Sequence, residues 1–183
     1  MSWIKVIHPE EAEGSLANMY QRFATSTGVD SIIRVHSLRP HTLEGHMALY
    51  RNVLGHPRNT LSKTFAECIA VTVSIANECE YCIMHHSRKV TEEVPERAGE
   101  LLSALKTGRL ENVFSISEQT ALNYAEILTR SPNAIQAGMI SRLRDSGWSD
   151  GEILEINQVV GYFAYANRTV LGLGVKVESE WVY

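Results

Sequence analysis

The stretch LSKTFAECIAVTVSIANECEYCIMHH, residues 61–86, decides the fold. Its first part, Leu61 to Ala76, is apolar on nearly every face of a helix, with one acid, Glu67, in the middle. A helix that is apolar all round belongs inside a core rather than on its surface. The second part opens another helix. Asn77 and Glu80 have the spacing of an N-cap and its N3 acid. On that reading Cys79 sits in the first turn and Cys82 in the second.

Working outward, the rest of the chain reads as more helices punctuated by Gly, Pro and Asn. Pro9 to about Ala24 carries a helical stripe of Ala12, Leu16, Met19, Tyr20 and Phe23. Pro40 opens a segment from Thr42 to Leu54 that Gly55 closes. After the central helix, Glu80 to about Val90 and Pro95 to Leu105 follow, the latter ended by Gly108. Ser115 with Glu118 and Ser149 with Glu152 fit capping boxes, ahead of Thr120 to Thr129 and Ile153 to about Val170. Between them, Ser131-Pro132-Asn133 is a break and Ala134 to Arg144 is helical. The tail from Gly172 to Tyr183 alternates Val175, Val177 and Trp181 with polar residues and reads as extended. Other period-two patterns are scarce, and hairpin dipeptides such as Asn-Gly are missing. The expectation is an all-α fold with the Cys-x-x-Cys pair at the start of a central helix. It forms one domain over 1–183, with N-terminal helices to about 57, a motif-bearing core over 58–112, and C-terminal helices with the tail over 113–183.

Bulk properties narrow the function classes. A chain of 183 residues, 44% apolar, can bury a real core without disulfides or structural metals. The net charge of −4 comes from mixed acids and bases, with no basic stripe for nucleic acid. The N-terminus lacks the pattern of a signal peptide. The longest apolar run, Phe65 to Ala76, is too short and too polar to span a bilayer. No nucleic-acid or membrane partner is expected, and the cytoplasm is the default compartment. Three cysteines do not suit a secreted disulfide framework. In a reducing compartment a close pair is more often catalytic or metal-binding than structural.

At about 100° per residue, Cys79, Cys82 and His86 fall within an arc of roughly 60° on one helix face. A thiol attacks a peroxide or disulfide only as thiolate, and lowering its pKa from 8.5 by about two units raises the thiolate fraction at pH 7 from roughly 3% to roughly 75%. A helix N-terminus favours an anion at Cys79. An imidazole one turn on, at His86, can take the proton of Cys82. Glu67, buried in an apolar helix, needs a partner, and a histidine it can orient is a natural one. The expected relay runs from Glu67 to His86 to Cys82. Zinc accepts these ligand types too, with Glu67 or Cys68 as a fourth. Closed structural sites draw on two separated pairs, however, and no second pair is present, so neither metal nor cofactor is expected. Cys68 reads as a small core residue, His85 as solvated or neighbouring the site, and Tyr81, Tyr162 and Tyr165 as core or interface aromatics. Arg168 reads as a helix-end cap or ion pair.

Glu67, eleven residues, Cys79-x-x-Cys82, three residues and His86 together resemble the motif of the alkylhydroperoxidase AhpD-like group in the carboxymuconolactone decarboxylase superfamily. The phrase from Cys68 to Cys82 and the ending Asn167 to Val175 are similar to its peroxidase-related branch. The resemblance implies an all-helical homo-oligomer that reduces organic hydroperoxides or hydrogen peroxide with a thiol reductant. It implies Cys82 as the attacking thiol, Cys79 as resolving thiol and proton donor, and His86 and Glu67 as the relay. The chain departs from AhpD at Tyr81, where that protein has a histidine. Helix position favours Cys79 as nucleophile, whereas the His neighbour and the resemblance favour Cys82. Cys82 is the expected nucleophile, because a helix terminus contributes roughly 0.3–1 kcal/mol and a positioned base typically about 10²–10⁴-fold in rate.

Overall fold

The computed structural model describes residues 2–178. Its α-helices are α1 (Gly14–Phe23), α2 (Ser31–Arg34), α3 (Pro40–Gly55), α4 (Lys63–Ala76), α5 (Glu80–Glu93), α6 (Pro95–Thr107), α7 (Ile116–Arg130), α8 (Ala137–Asp145) and α9 (Asp150–Leu173). Single 3₁₀ turns cover Pro9–Glu11 and Pro132–Ala134. No strand occurs among the described residues; one isolated bridge joins Thr25 and Gly28. The all-α expectation therefore holds. The helices α5, α6, α7 and α9 run longer than the apolar pattern suggested, and the short α2 carried too few residues to show a period. Trp181 of the expected extended tail lies outside the described residues.

Two compact units are present. One takes the chain up to Arg51 and from Arg168 onward; the other is Asn52–Asn167. The core of the first is Leu16, Tyr20, Phe23, Ile33 and Leu43, packed with Ile7, Met19 and Met47. Tyr20 donates its hydroxyl to the Ile7 carbonyl at 2.8 Å, so a core phenol keeps its hydrogen bond. Buried Glu178 accepts the Ser31 backbone N–H at 2.6 Å.

In the second unit α4 lies at the centre and packs on α5, α6 and α7. The reason is its composition: Phe65, Ala66, Cys68, Ile69, Ala70, Val71 and Val73 are all buried. Burying a Val or Ile side chain is worth about 1.5–3 kcal/mol. Ser62 caps α4 by accepting the Phe65 N–H at 3.2 Å. The Glu155 carboxylate takes the N–H groups of Thr60, at 2.9 Å, and Leu61, at 2.8 Å, just before it. Both expected capping boxes form, Ser115 with Glu118 and Ser149 with Glu152. Helix α9 accordingly opens at Asp150, ahead of the apolar pattern that begins at Ile153. It continues to Leu173, so Arg168 lies within it rather than at its end.

The candidate active site

The link from α4 to α5 differs from the sequence expectation. Asn77 ends α4 as its C-cap and does not cap α5; that place belongs to Cys79. The cause is the way α4 closes. The Glu78 N–H bonds the Ile75 carbonyl at 3.0 Å, and the Cys79 N–H bonds the Ser74 carbonyl at 2.9 Å. This pair of bonds is a Schellman closure, which needs a left-handed residue between the two helices. Glu78 supplies it, with φ 56°. The Asn77 side chain, freed from capping, donates instead to the Asn167 amide oxygen at 2.9 Å. Cys82 therefore falls in the first turn of α5, not the second, and Cys79 sits just outside the helix.

The two sulfurs are buried, reduced and 2.9 Å apart. Their hydrogen bond runs from Cys79 to Cys82 in this structure, and the contact between the two thiols foremost lowers the Cys79 pKa; burial opposes it, and the Cys82 backbone N–H adds to it. The bond to Cys79 raises the Cys82 pKa, burial and the Cys79 charge add to that, and a hydrogen bond from Asn167 works the other way. The two thiols titrate as one coupled pair, and the start of α5 favours an anion on either sulfur. Only one sulfur can hold charge at a time, so the pair shares one proton.

Glu67 and His86 meet, as the need of a buried acid for a partner implied. The His86 Nδ1 lies 2.5 Å from Glu67 Oε2. Glu67 is 2% exposed. Burial pushes its pKa up, but the His86 bond, followed by Lys89 and Lys63, outweighs burial and holds it below the usual carboxylate range. An ionised carboxylate only accepts, so His86 must carry its proton on Nδ1, leaving Nε2 as the acceptor. Burial lowers the His86 pKa, and Glu67 offsets part of that. The imidazole is held neutral and in one tautomer. Phe163 of α9 stands edge-on to it at 4.5 Å between ring centroids. Lys89 reaches the other Glu67 oxygen at 3.8 Å.

The remaining sequence candidates take other places. Cys68 is 1% exposed, and burial pushes its thiol up to about 12, as suits a core residue. Tyr81 is buried and stacks on His85 at 4.2 Å between centroids. Tyr162 is buried, whereas Tyr165 is exposed. Among the described residues no three His, Cys, Asp or Glu side chains gather to hold a metal ion, and no helix is long and apolar enough to cross a membrane. Sequence reasoning missed Asn167, Phe163 and Lys89. Lys89 lies one turn past His86 and could have been read from spacing. Asn167 and Phe163 come from a distant helix and left no local signal.

Comparison with known proteins agrees with this fold. Residues 40–126 match the carboxymuconolactone decarboxylase family. An uncharacterised peroxidase-related protein from Silicibacter sp. TM1040 superposes with TM-score 0.84 at 22% identity, over 98% of this chain and 93% of that one. A peroxidase-related protein with an alkylhydroperoxidase AhpD core, from Ralstonia eutropha JMP134, gives 0.84 at 19% identity with the same coverage. The apo debrominase Bmp8 gives 0.71 at 19% identity, over 90% of this chain and 84% of that one. No curated protein sequence matches the chain. Residues 40–126 thus match the carboxymuconolactone decarboxylase family, and the chain shares the helical fold of these AhpD-like, peroxidase-related structures.

Proposed function

We propose that the protein is a thiol peroxidase that reduces organic hydroperoxides or hydrogen peroxide with the Cys79–Cys82 dithiol. The observation that carries this reading is the pair of reduced sulfurs 2.9 Å apart at a helix start, in the same unit as a carboxylate-held neutral histidine. The family of residues 40–126 and the peroxidase-related fold neighbours support it.

The chemistry balances with groups of this chain and two external reactants. His86 takes one proton from the dithiol at Nε2, becoming an imidazolium that Glu67 stabilises, and the charge left behind is shared by the sulfur pair. Cys82 attacks the distal peroxide oxygen as thiolate, with the shared proton on Cys79. The O–O bond breaks, and the leaving alkoxide takes that proton from Cys79 and departs as alcohol. Cys82 is now a sulfenic acid. The Cys79 thiolate attacks its sulfur, the S–S bond forms, and hydroxide leaves with the His86 proton as water. A separate thiol reductant, a protein or a small dithiol, then returns two electrons and two protons. A reducing compartment such as the cytoplasm keeps the pair ready. Exposed Ile116 and Leu154 fit the further reading that the chain forms a homo-oligomer.

Mass spectrometry of each thiol after one equivalent of hydroperoxide tests the scheme. Wild type should form the Cys79–Cys82 disulfide, Cys79→Ser should stop at sulfenic acid on Cys82, and Cys82→Ser should consume no peroxide. Undiminished peroxide consumption by Cys82→Ser would overturn the assignment. Reduction of a protein disulfide such as that of insulin, without peroxide turnover, would replace it with a general thiol–disulfide oxidoreductase. Stoichiometric zinc in protein purified without added metal would replace it with a metal-binding role.

A further inference from the structure

A cavity of about 240 Å³ opens within the second unit, and none of Glu67, Cys79, Cys82 and His86 lines it. Phe65 of α4, Leu101 of α6 and Phe114 ahead of α7 form buried apolar walls. The Cys68 thiol lines it too. It is 1% exposed and makes no hydrogen bond among the described residues. Its pKa, pushed up to about 12 by burial, keeps it an S–H, a weak donor rather than a nucleophile. Two opposite charges complete the lining, Arg97 of α6 and Glu118 of α7. Arg97 donates to the Val113 carbonyl at 3.3 Å, which holds the guanidinium at the wall. Glu118 Oε2 accepts the N–H and the hydroxyl of Ser115, at 2.8 and 2.9 Å. Among the described residues neither Arg97 nor Glu118 forms an ion pair, with the other or with a third group.

We propose that this cavity binds a small zwitterion, an α-amino acid with an apolar side chain. Arg97 takes its carboxylate, Glu118 its ammonium, and Phe65, Leu101 and Phe114 enclose its side chain. A void left by loose packing is apolar and dry. This one presents a cation, an anion and an unbonded thiol. A ligand with one charge would satisfy one side chain and meet the like charge of the other. A ligand with both charges satisfies both. Size sets the upper limit: sites for drug-sized ligands run to about 300–1,000 Å³, so this smaller space suits a single amino acid. Helix ends fix the polarity. The caps of α4 and α6, Ser62 and Val94, both line the cavity, and Val94 has no side-chain group to cap with. The positive ends of these helices add to Arg97 in favouring the carboxylate there. The start of α7 is already closed by its capping box, and Glu118 Oε1 is left for the ammonium. Nothing in this site depends on the dithiol, so it stands apart from the peroxidase reading.

The test uses L-leucine beside its two halves: isocaproate, which lacks the amine, and isoamylamine, which lacks the carboxylate. NMR follows the backbone amide signals of the full chain as each is added. Leucine should shift the signals of Thr64, Cys68 and Phe114 and saturate. Each half should bind about tenfold more weakly or worse, the scale of one hydrogen bond to a charged group. Arg97→Gln should erase the preference for leucine over isoamylamine and keep the preference over isocaproate. Glu118→Gln should do the reverse, and it keeps the fold because glutamine serves the same capping box. No saturable shift of those signals with leucine would overturn the proposal. So would either half binding as tightly as leucine, which would mark a site for one charge, or leucine affinity unchanged in both variants. No peroxide enters the titration, so failure of this site leaves the peroxidase reading standing, and failure of that reading leaves this site standing.

Discussion

Each unit buries a histidine site, and the two have opposite characters. In the second unit His86 sits against Glu67 at 2.5 Å. In the first, His36 and His46 face one another at 5.1 Å between ring centroids. Burial lowers the pKa of all three rings. At His86 the carboxylate pushes back. At His46 the second influence is His36, which pushes the same way, to about 4. Thr42 gives its hydroxyl proton to the Arg39 carbonyl at 2.8 Å, so His36 must donate from Nδ1 to Thr42, at 2.9 Å. That leaves the buried His36 Nε2 as a lone pair with no hydrogen-bond partner among the described residues. Burial by itself makes a histidine a neutral packing group. Burial beside a carboxylate makes one that can take a proton and give it back.

The largest effect should come from removing the carboxylate and so turning His86 into a ring like His46. Glu67→Gln keeps the shape and an acceptor but removes the charge that raises the His86 pKa. The His86 midpoint, read from its ring signals by NMR, should fall below its wild-type value. Peroxide reduction should drop by about 10²-fold or more, the usual contribution of a positioned base. A Glu67→Gln protein with wild-type kcat/KM would mean that the pair serves packing only.

The converse site predicts a pH effect on stability rather than on rate. The folded pKa of His46, about 4, lies below its ordinary 6.5. The unfolded chain therefore binds a proton first as pH falls, and folding must exclude it. The stability contribution is whole above about 6.5 and shrinks as pH falls toward 4. At 1.36 kcal/mol per unit, the full loss is about 3 kcal/mol. Urea unfolding of wild type and His46→Leu at pH 7 and pH 4 isolates it, because other acid-labile groups act equally on both. Glu67 works across a lower window: its folded pKa is depressed below 4.5, so its contribution is present above 4.5 and fades as pH drops through the folded value. Equal acid sensitivity in the two proteins would show that His46 is not the buried neutral ring described.

How much of this was legible in the sequence follows from what each feature depends on. The pairing of Glu67 with His86 could be read because one acid inside an apolar helix has few options, and a histidine on the next helix is among them. The helical fold could be read because composition and caps are local. The N-cap of α5 was misread for a physical reason. Asn77 with Glu80 looked like a helix start, whereas Glu78 takes the left-handed position at the end of α4. The end of α9 puts Gly174 in that position, at φ 61°, with the same two bonds, from Gly174 to the Leu171 carbonyl and from Val175 to the Val170 carbonyl. A glycine announces such a turn in sequence and a glutamate does not. Asn167 was unreadable because its partners, Ser74 and Asn77, lie on another helix. The His36–His46 pair gave no motif at all, since its rings meet by packing.

Lys89 gives the smallest and most discriminating change. It sits 3.8 Å from Glu67 Oε1 and is about one-third exposed. Its charge lowers the pKa of Glu67 and also that of His86. Lys89→Met should therefore raise the His86 midpoint, the opposite direction to Glu67→Gln. At 3.8 Å, with a third of the lysine side chain in water, the pair is long and screened, so stability should change by less than about 1 kcal/mol. If the carboxylate alone sets His86 apart from His46, the two substitutions must bracket the wild-type midpoint, with Lys89→Met displaced less. NMR titration of both variants beside wild type decides this. Displacement in the same direction would mean that both changes act by opening the site to water rather than through charge, and the contrast between the two histidine sites would then be one of burial alone.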